Sequence, residues 1–460
     1  MKHKACISLL LAALLAGSLT ACSTEAALTQ TETAAASNTA QTAIDSAFRD
    51  GEPAQAETEE TAVSDRFSDR DLDQEPDLSE AVAYPVEDGR DITITAAGVY
   101  VLSGSAEDVT VVVDAGDDDK VQLVLNGLDL TNADEPCIYV RNADKVFVTT
   151  TATENSLTVT GTFLADGETN TDAVIFSRDD LTLNGTGTLS VSSTDNGVTS
   201  KDELKVTGGT LVIDCASDGL EANDAIAVAG GDITITTEKD GLRAGTDDDD
   251  TVGEICLVGG TFTIDAGSDA IQGTTSVRID GGTFNLRGAE GIEGTYVCIT
   301  GGTLSIRASD DGINAARKSS ALDAAVEITG GEITIVMGGG DTDGIDSNGA
   351  LTIAGGTVDI TAGSPFDYDG TGTLSGGTVI INGQETDRLA GQRMGGSMQD
   401  GIRQGRGGQF GGGDTDGSTG ATPNDGEGWQ RGQKPQAPGG MGRQGGPGHG
   451  GPSGSGLGVS

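Results

Sequence analysis

Short segments in which hydrophobic and polar residues alternate, each following a pair of glycines, repeat along the middle of the chain. Two of them are Gly208–Ile213 and Gly301–Ile306. Eight such segments follow one another between residues 208 and 381, at intervals of 20 to 29 residues. An interval of this size is the length of one supersecondary unit and is much too short for a domain. The pattern therefore predicts a repeat architecture.

Each repeat contains two further inward-facing sites. A second short strand lies just before the glycine pair, as in Leu204–Val206 and Val277–Ile279. A third inward residue follows an acidic residue and a glycine, as in Asp218–Leu220. Three strands and three tight corners per repeat describe a coil whose strands pair with their equivalents in the coils above and below. We expect glycine at the corners because it takes positive φ without steric cost.

The predicted fold class is all-β. The repeats favour a right-handed parallel β-helix (solenoid) over residues 81–390, with parallel crossovers of the usual hand. Upstream hydrophobic segments between residues 109 and 148 are interpreted as looser coils or as an N-terminal cap. A leucine-rich repeat would need recurrent helical segments, which the sequence does not contain.

The two ends of the chain differ from the repeats. Residues 1–22 have a basic start, an apolar stretch and a Leu-Thr-Ala-Cys ending, which is typical of a lipoprotein signal peptide with lipidation at Cys22. A signal peptide without lipidation is the alternative. Residues 23–80 are predicted to be a disordered tether, and residues 391–460 a disordered tail rich in Gly, Gln, Arg and Pro. The expected location is extracytoplasmic, lipid-anchored to the bacterial cell membrane and facing outward.

Charge and rare residues exclude several functions. The chain has 72 acidic and 26 basic side chains, a net charge of −46, which would repel nucleic acid and any other polyanion unless cations bridge the surfaces. Its two histidines, His3 and His449, lie outside the repeats, so a mechanism that needs a histidine in the folded domain is excluded. The cysteines of the repeats are widely spaced and are interpreted as packing or surface residues. We expect a monomer without nucleic-acid partners.

Stacked coils would turn equivalent acidic residues into columns spaced by roughly 4.8 Å. Unit charges at that separation repel by about 1 kcal/mol in water and by several times more where screening is poorer. The residue two before the third inward site defines the first column, which comprises Asp172, Asn196, Asp218, Asp240, Asp269, Glu290, Asp311 and Asp343. The residue after that site defines the second column, which includes Glu221, Glu293, Asn314, Asp346 and Asp367.

Two interpretations of these columns remain open. Each aspartate could cap its own Asp-Gly turn by accepting backbone N–H bonds, which needs no ligand. Alternatively, part of the column binds calcium, a hard cation that takes six to eight oxygen ligands. The candidate ligands are Asp218, Glu221, Asp269, Glu290, Glu293, Asp310, Asp311, Asp341, Asp343, Asp346, Asp367 and Asp369. For a single aspartate the turn role is favoured, whereas calcium is favoured for at least one place on the column.

Few side chains offer direct contacts to a sugar. Arg287 and Arg307 should project side by side from neighbouring coils, a pair suited to sugar carboxylates or hydroxyls. Arg287 could equally pair with Asp265. The only plausible exposed rings late in the repeats are Tyr296 and Tyr368. Binding would therefore depend on polar side chains and bound cations.

The segments Gly98–Gly104 and Leu123–Leu130, together with the repeated Gly-Gly-Thr-x-x-Ile and Asp-Gly-Ile motifs, resemble the carbohydrate-binding β-helix lipoproteins of clostridia and related bacteria. The resemblance covers residues 80–387. It implies a pectate-lyase-like fold, binding of plant-type polysaccharides including acidic galacturonans, and bound calcium.

Three functions are consistent with these observations. The favoured one is a surface-anchored, non-catalytic polysaccharide-binding protein that uses calcium and binds acidic, galacturonan-type glycans. A calcium-dependent polysaccharide lyase would also need a positioned base, for which Lys239, Arg243, Arg317 and Lys318 are the candidates. The third possibility is a structural or adhesive surface solenoid.

Overall fold

The computed structural model describes residues 66–339 and 342–389. They form a parallel β-helix, because each strand pairs in parallel with the equivalent strand one coil away. Leu204, Ile226 and Ile255 are successive partners in one such series. The predicted solenoid is confirmed, with three strands in each regular coil.

We name the three faces of the solenoid by their place in the repeat. The first face precedes the glycine pair and contains β1 (Val82–Pro85), β3 (Gly98–Glu107), β5 (Lys120–Asn132), β7 (Lys145–Thr150), β10 (Asp180–Gly185), β13 (Glu203–Val206), β16 (Ala225–Val228), β19 (Glu254–Leu257), β26 (Ala325–Ile328), β29 (Ala350–Ile353) and β32 (Gly372–Leu374). The strands β3 and β5 continue round the corner into the second face.

The second face follows the glycine pair. It contains β8 (Glu154–Val159), β11 (Thr188–Ser193), β14 (Thr210–Cys215), β17 (Asp232–Thr237), β20 (Thr261–Ala266), β22 (Thr283–Gly288), β24 (Thr303–Ala308), β27 (Glu332–Met337), β30 (Thr357–Thr361) and β33 (Thr378–Ile381). After β33 the chain turns back as β34 (Gln384–Thr386), which pairs antiparallel with it. This hairpin covers part of the edge that the last coil would otherwise expose.

The third face follows the acidic corner and contains the two acidic columns. Its strands are β2 (Ile92–Ile94), β4 (Val111–Asp114), β6 (Ile138–Asn142), β9 (Ala173–Ser177), β12 (Asn196–Ser200), β15 (Leu220–Ala222), β18 (Leu242–Ala244), β25 (Ile313–Ala315), β28 (Asp343–Ser347) and β31 (Ser364–Tyr368). The strands β21 (Ile271–Ile279) and β23 (Ile292–Ile299) begin on this face and end on the first face. The hydrophobic segments between residues 109 and 148 were interpreted from the sequence either as looser coils or as an N-terminal cap. In the structure they form coils in register with the rest.

The core fills the inside of the coils with one aliphatic or aromatic side chain at each inward site. In β17 every second residue is buried and the residues between are exposed, as period-two alternation predicts. Phe262 and Phe284 stack in neighbouring coils with ring centroids 4.6 Å apart. Each fully buried side chain of this size contributes about 1.5–3 kcal/mol to folding.

Glycine serves the two kinds of corner for different reasons. The second glycine of every pair after residue 208 has a φ between 75° and 107°, as expected; Gly302 is an example at 88°. The glycine after the acidic residue is not in the left-handed region, so our expectation of positive φ is wrong there. A Cβ on Gly219 would instead lie 2.6 Å from the carbonyl oxygen of Gly241 and 2.6 Å from Cγ2 of Ile235. Close approach of the next coil therefore requires this glycine.

Residues 66–74, which we call the strap, lie against the outside of the first face. They contain the short helix α1 (Asp69–Leu72), capped by Ser68 and Asp71. Phe67 is buried against Ala227 and Cys256. The strap falls within residues 23–80, which were predicted to be a disordered tether, and for the strap that prediction is wrong. It was missed because a single buried ring does not form a recognisable hydrophobic pattern.

Asp71 fastens the strap to two coils. Its carboxylate lies 2.8 Å from Nζ of Lys145 and accepts a hydrogen bond of 2.7 Å from Thr182 Oγ1. Despite the loss of solvation on burial, these contacts and the bonds to Ser68 lower the pKa of Asp71 to about 2. At the other end of the strap, Arg66 forms two hydrogen bonds with Glu254. The strap therefore spans the coils from β7 to β19.

The cysteines of the described coils, Cys137, Cys215, Cys256 and Cys298, are free thiols and all are buried, so they act as packing residues. Cys256 and Cys298 face away from the core, and Cys256 is covered by the strap. Within residues 66–339 and 342–389 we find no helix with the length and hydrophobicity of a membrane span.

Candidate functional site

The second acidic column is continuous along the third face. In the strand register each residue of this column pairs with the equivalent residue of the next coil. The column runs through Thr199, Glu221, Arg243, Gln272, Glu293, Asn314, Asp346 and Asp367. The predicted column is confirmed, and it also includes Arg243 and Gln272, two residues that are not acidic and were not among its predicted members. Counting one residue past each inward site would have found both. In the first column, Asp172 is out of register by one residue, because Asn196 pairs with Ala173.

Most side chains of the first column form a ladder between coils. Oδ1 of Asn196 accepts a hydrogen bond from the backbone N–H of Asp218 at 2.9 Å, and Oδ1 of Asp218 accepts one from Asp240 at 3.1 Å. The next bond, from the N–H of Asp269 to Oδ1 of Asp240, is 3.0 Å. Each of these side chains accepts a backbone N–H bond, as the turn hypothesis supposed. The donor, however, belongs to the next coil and not to the residue's own turn, so the hypothesis is wrong about the donor.

Glu221 is neutralised by protein groups. Arg243 Nη1 lies 3.2 Å from its carboxylate and Lys201 Nζ lies 3.5 Å away. Its Oε2 also accepts hydrogen bonds of 2.9 Å from Asn196 and Thr199. These contacts account for a buried carboxylate at this place without a bound ion.

The ladder is interrupted at Asp269 and Glu290. Across the described coils, neither side chain accepts the backbone bond that their equivalents accept, and the ladder resumes where Asp311 accepts from the N–H of Asp343 at 3.1 Å. At the interruption, carboxylate oxygens of Asp269, Glu290 and Glu293 all lie within 4.8 Å of one another. We call these three residues the carboxylate cluster. The regular structural role of the column does not explain them.

The carboxylate cluster has the dimensions of a calcium site. Oxygens bound to one ion at about 2.4 Å lie at most about 4.8 Å apart, and the oxygens of the cluster all lie within this limit. Oε2 of Glu290 is a buried oxygen that accepts no hydrogen bond from the described residues. The same holds for Oδ1 of Asn314, whose amide nitrogen donates to Glu290 at 3.1 Å. Asn314 is only 8% exposed, so a hard cation would satisfy oxygens that are otherwise buried without partners.

The electrostatics of the cluster favour a cation. Burial raises the pKa of Glu290 to about 8, with further contributions from the neighbouring Glu293 and Asp269 carboxylates. Burial likewise raises the pKa of Asp269 to about 7, together with Asp240 and Glu293. A raised pKa means that the positive charge near these carboxyl groups is too small to offset the cost of ionising them when buried.

Two side chains partly satisfy the cluster. Gln272 Nε2 donates to Asp269 at 3.2 Å and to Glu293 at 3.1 Å. The Nζ atom of Lys318 forms a close ion pair with Glu293. The candidate base Lys318 therefore reaches the cluster, whereas Arg243 pairs with Glu221 three coils upstream.

The remaining candidate ligands are placed as follows. Asp346 and Asp367 are register neighbours, and burial together with Asp343 raises the pKa of Asp346 to about 6. Asp310 is exposed, and Oδ2 of Asp369 lies 3.7 Å from Nη2 of Arg317. Asp341 lies outside the described residues, as does Cys22. Among the residues that the structure describes, the carboxylate cluster is the group whose ligand atoms converge.

The four predicted sugar contacts lie in different strands. Arg287 and Arg307 are adjacent on the exposed second face, and Arg287 pairs with Asp265 at 3.2 Å, as the structural alternative supposed. The hydroxyl of Tyr296 donates to Glu327 at 2.5 Å in the first-face part of β23. Tyr368 packs in the third face with its hydroxyl donating to Leu389 O at 3.2 Å.

Comparison with known proteins identifies similar chains. A family model described as carbohydrate-binding domain-containing protein matches residues 88–339 and 288–421. A carbohydrate-binding domain-containing protein of Acetivibrio thermocellus is 35% identical over 124 residues, which are 26% of this chain and 43% of that protein, so the match spans less than half of the relative. A solved structure of a polysaccharide lyase-like protein from C. thermocellum, a gadolinium derivative, is 23% identical with a TM-score of 0.39; the similarity covers 64% of this chain and 99% of that one.

Proposed function

Because the chain belongs to the family of carbohydrate-binding domain-containing proteins, we propose that it binds an acidic, galacturonan-type polysaccharide through calcium, without catalysing a reaction. The observation that carries this proposal is the interruption of the ladder at the carboxylate cluster. Everywhere else in the first column between Asn196 and Asp269, the acidic or amide side chain has a structural partner in the next coil.

Charge makes the cation necessary for an acidic ligand. A protein of net charge −46 and a polyuronate repel each other unless a cation lies between them. Asp269, Glu290, Glu293 and the side-chain oxygen of Asn314 would hold calcium from the protein side. Calcium takes six to eight oxygens, so ligand positions remain for sugar carboxylates and hydroxyls.

The proposal extends to the location of the protein. Residues 1–22 have the features of a lipoprotein signal peptide, and Cys22 would carry the lipid. The binding domain would then face outward from the cell membrane, where soluble or cell-wall polysaccharide is accessible. Labelling of the protein with a radioactive fatty acid, lost on Cys22→Ser, would test the anchor.

Retention on gel-coupled polygalacturonate tests the binding mechanism. We expect retention in calcium, elution by EDTA, and a loss of at least about tenfold in affinity for Glu290→Gln, because one charged ligand contributes more than about 1.4 kcal/mol. Calcium titration by calorimetry should show the same loss.

Asp240→Asn is the matched control. It removes a carboxylate of the same column but keeps the oxygen that accepts from the next coil, as Asn196 does naturally. It should retain both calcium and polygalacturonate. Retention that is unaffected by EDTA, or equal losses for the two variants, would contradict the proposal.

A further inference from the structure

A cleft opens on the third face, several coils upstream of the carboxylate cluster. It has a volume of about 350 Å³, at the lower end of the roughly 300–1,000 Å³ range of small-ligand sites. It is lined by Tyr139 and Arg141 of β6, by Leu164 and Asp166 of the loop that follows β8, and by Glu135. None of these residues is among the candidate calcium ligands or the predicted sugar contacts.

The polar groups of the cleft are held in place and still reach solvent. The hydroxyl of Tyr139 donates to Oδ2 of Asp166 at 3.0 Å, and Nε of Arg141 lies 3.3 Å from the same oxygen. The guanidinium of Arg141 also lies over the Tyr139 ring, 4.9 Å from its centroid. Yet the side chains of Arg141 and Asp166 are 43% and 46% exposed. A fixed donor next to a fixed acceptor matches two adjacent hydroxyls of a sugar ring.

The rim of the cleft is apolar on one side. Leu164 is 57% exposed, the most exposed of the large hydrophobic side chains in the described residues. Pro136 and Val112 also line the cleft but are buried, so Leu164 is the exposed apolar side chain against which the C–H groups of a pyranose ring can pack. An exposed leucine beside an ordered Arg-Asp pair combines the two kinds of contact that a sugar needs.

The charge of the cleft selects a neutral sugar. Asp91, Glu135 and Asp166 line it against the single arginine Arg141. The side chains of Asp91 and Glu135 accept hydrogen bonds of 2.9 and 3.4 Å from Thr110, a neutral residue. An anionic sugar would meet excess negative charge here.

We propose that the cleft around Tyr139, Arg141, Asp166 and Leu164 is a second glycan subsite, which binds one neutral pyranose residue without calcium. Register places Tyr139, Phe176 and Thr199 in the same column that continues to Glu293. The subsite and the carboxylate cluster therefore lie in line, about 29 Å apart over six coils at roughly 4.8 Å each. A polysaccharide running along the third face would pass both.

Calorimetric titration of the whole protein in EDTA tests this subsite, with cellohexaose, xylohexaose and mannohexaose as neutral probes and hexagalacturonate as the acidic probe. We expect at least one neutral probe to bind and the acidic probe to bind more weakly. Arg141→Met keeps the alkyl stem and removes the guanidinium, and should lower the neutral affinity by about tenfold or more.

Leu164→Ser provides a second variant at a site where folding is not at risk. It should weaken neutral binding several-fold, whereas Leu78→Ser, at a similarly exposed leucine outside the cleft, should not. The subsite is refuted if no neutral probe binds in EDTA, if the acidic probe binds more tightly than the neutral ones, or if Arg141→Met and Leu164→Ser both bind like the wild type. Calcium-dependent retention on polygalacturonate should be intact in both variants, so failure of the subsite and failure of the calcium proposal are separable.

Discussion

Gly219 and its equivalents are needed for space. A Cβ at Gly219, Gly241, Gly291, Gly312 or Gly344 would lie 2.3–2.6 Å from the nearest atom of the next coil. For Gly219 and Gly241, Cγ2 of an isoleucine, Ile235 or Ile264, is among the clashing atoms. The one alanine in the series, Ala270, precedes a coil in which register places Leu286 at the isoleucine site. Leucine has no β-branch, so the Cγ2 methyl that would oppose a Cβ at Gly219 has no equivalent beside Ala270.

We therefore predict that Gly219→Ala lowers the free energy of unfolding by about 1–3 kcal/mol, the usual cost of overpacking. Adding Ile235→Leu should recover part of this loss, because it recreates the Ala270 and Leu286 combination. Urea unfolding of the two variants and the wild type measures both effects. A neutral Gly219→Ala, or a double variant no more stable than the single one, would contradict the steric explanation.

Sequence patterns predicted which residues become neighbours, but not which oxygen bonds to which group. Asp240 and Asp269 occupy equivalent sites in the repeat, yet only the side chain of Asp240 accepts the N–H of the next coil. The difference depends on side-chain rotamers and on Gln272 and Lys318, which lie outside the repeated motif. The sequence therefore predicted the residues of the carboxylate cluster as ligands together with residues of the ladder, such as Asp218, that have structural partners.

The strap is the segment whose order the sequence did not reveal. It buries the ion pair of Asp71 and Lys145, and Lys145 is only 7% exposed. Removing one partner of a buried ion pair leaves the other charge unpaired, which costs about 3–5 kcal/mol. The second carboxylate near Lys145, Asp180, lies 4.0 Å away and compensates only in part.

Asp71→Ala should therefore destabilise the protein by about 3 kcal/mol in urea unfolding. Because α1 holds the strap over Cys256, the same variant should also speed the reaction of this thiol with a thiol reagent. The control is Asp71→Ala combined with Lys145→Met, which removes both charges. Its loss of unfolding free energy should be smaller than the sum of the losses of the two single variants. Unchanged stability and unchanged labelling would mean that the strap is not held by this pair.

The strands themselves were predictable because three periodicities agree. Alternation within β14, the glycine pair before it and the acidic corner after it each recur with the repeat. Upstream, between β3 and β9, the hydrophobic runs lack these motifs, and the sequence could not separate coils from a cap. Whether a segment is a coil or a cap depends on whether its strands pair with those of the next coil, and no local sequence pattern encodes this pairing.

The stability of the solenoid should depend on pH in a direction set by the carboxylate cluster. The pKa values of about 7 for Asp269 and about 8 for Glu290 lie above the value near 4 of unfolded carboxyl groups. Between these limits the folded state binds more protons than the unfolded state, so stability falls as pH rises. The favourable contribution is complete below about pH 4 and is lost above about pH 8.

In EDTA, the melting temperature should therefore fall as pH rises from about 5.5 to 8.5. Saturating calcium should remove most of this fall, because the ion binds the ionised form and stabilises the folded state. Thermal melts with and without calcium measure the effect, and Glu290→Gln in EDTA should flatten the curve. A melting temperature that rises with pH in EDTA would contradict the assigned charge state.

The course of the strap decides how the solenoid would respond to tension. Arg66 contacts Glu254 in β19, and the strap then runs back across the coils to Lys145 in β7. A pull on the chain ahead of Arg66 would reach the contacts of the strap with β19, β10 and β7 before it reached the terminal strand β1. These contacts would have to break before the force unpaired the first coil, so the strap shields the terminal strand from tension.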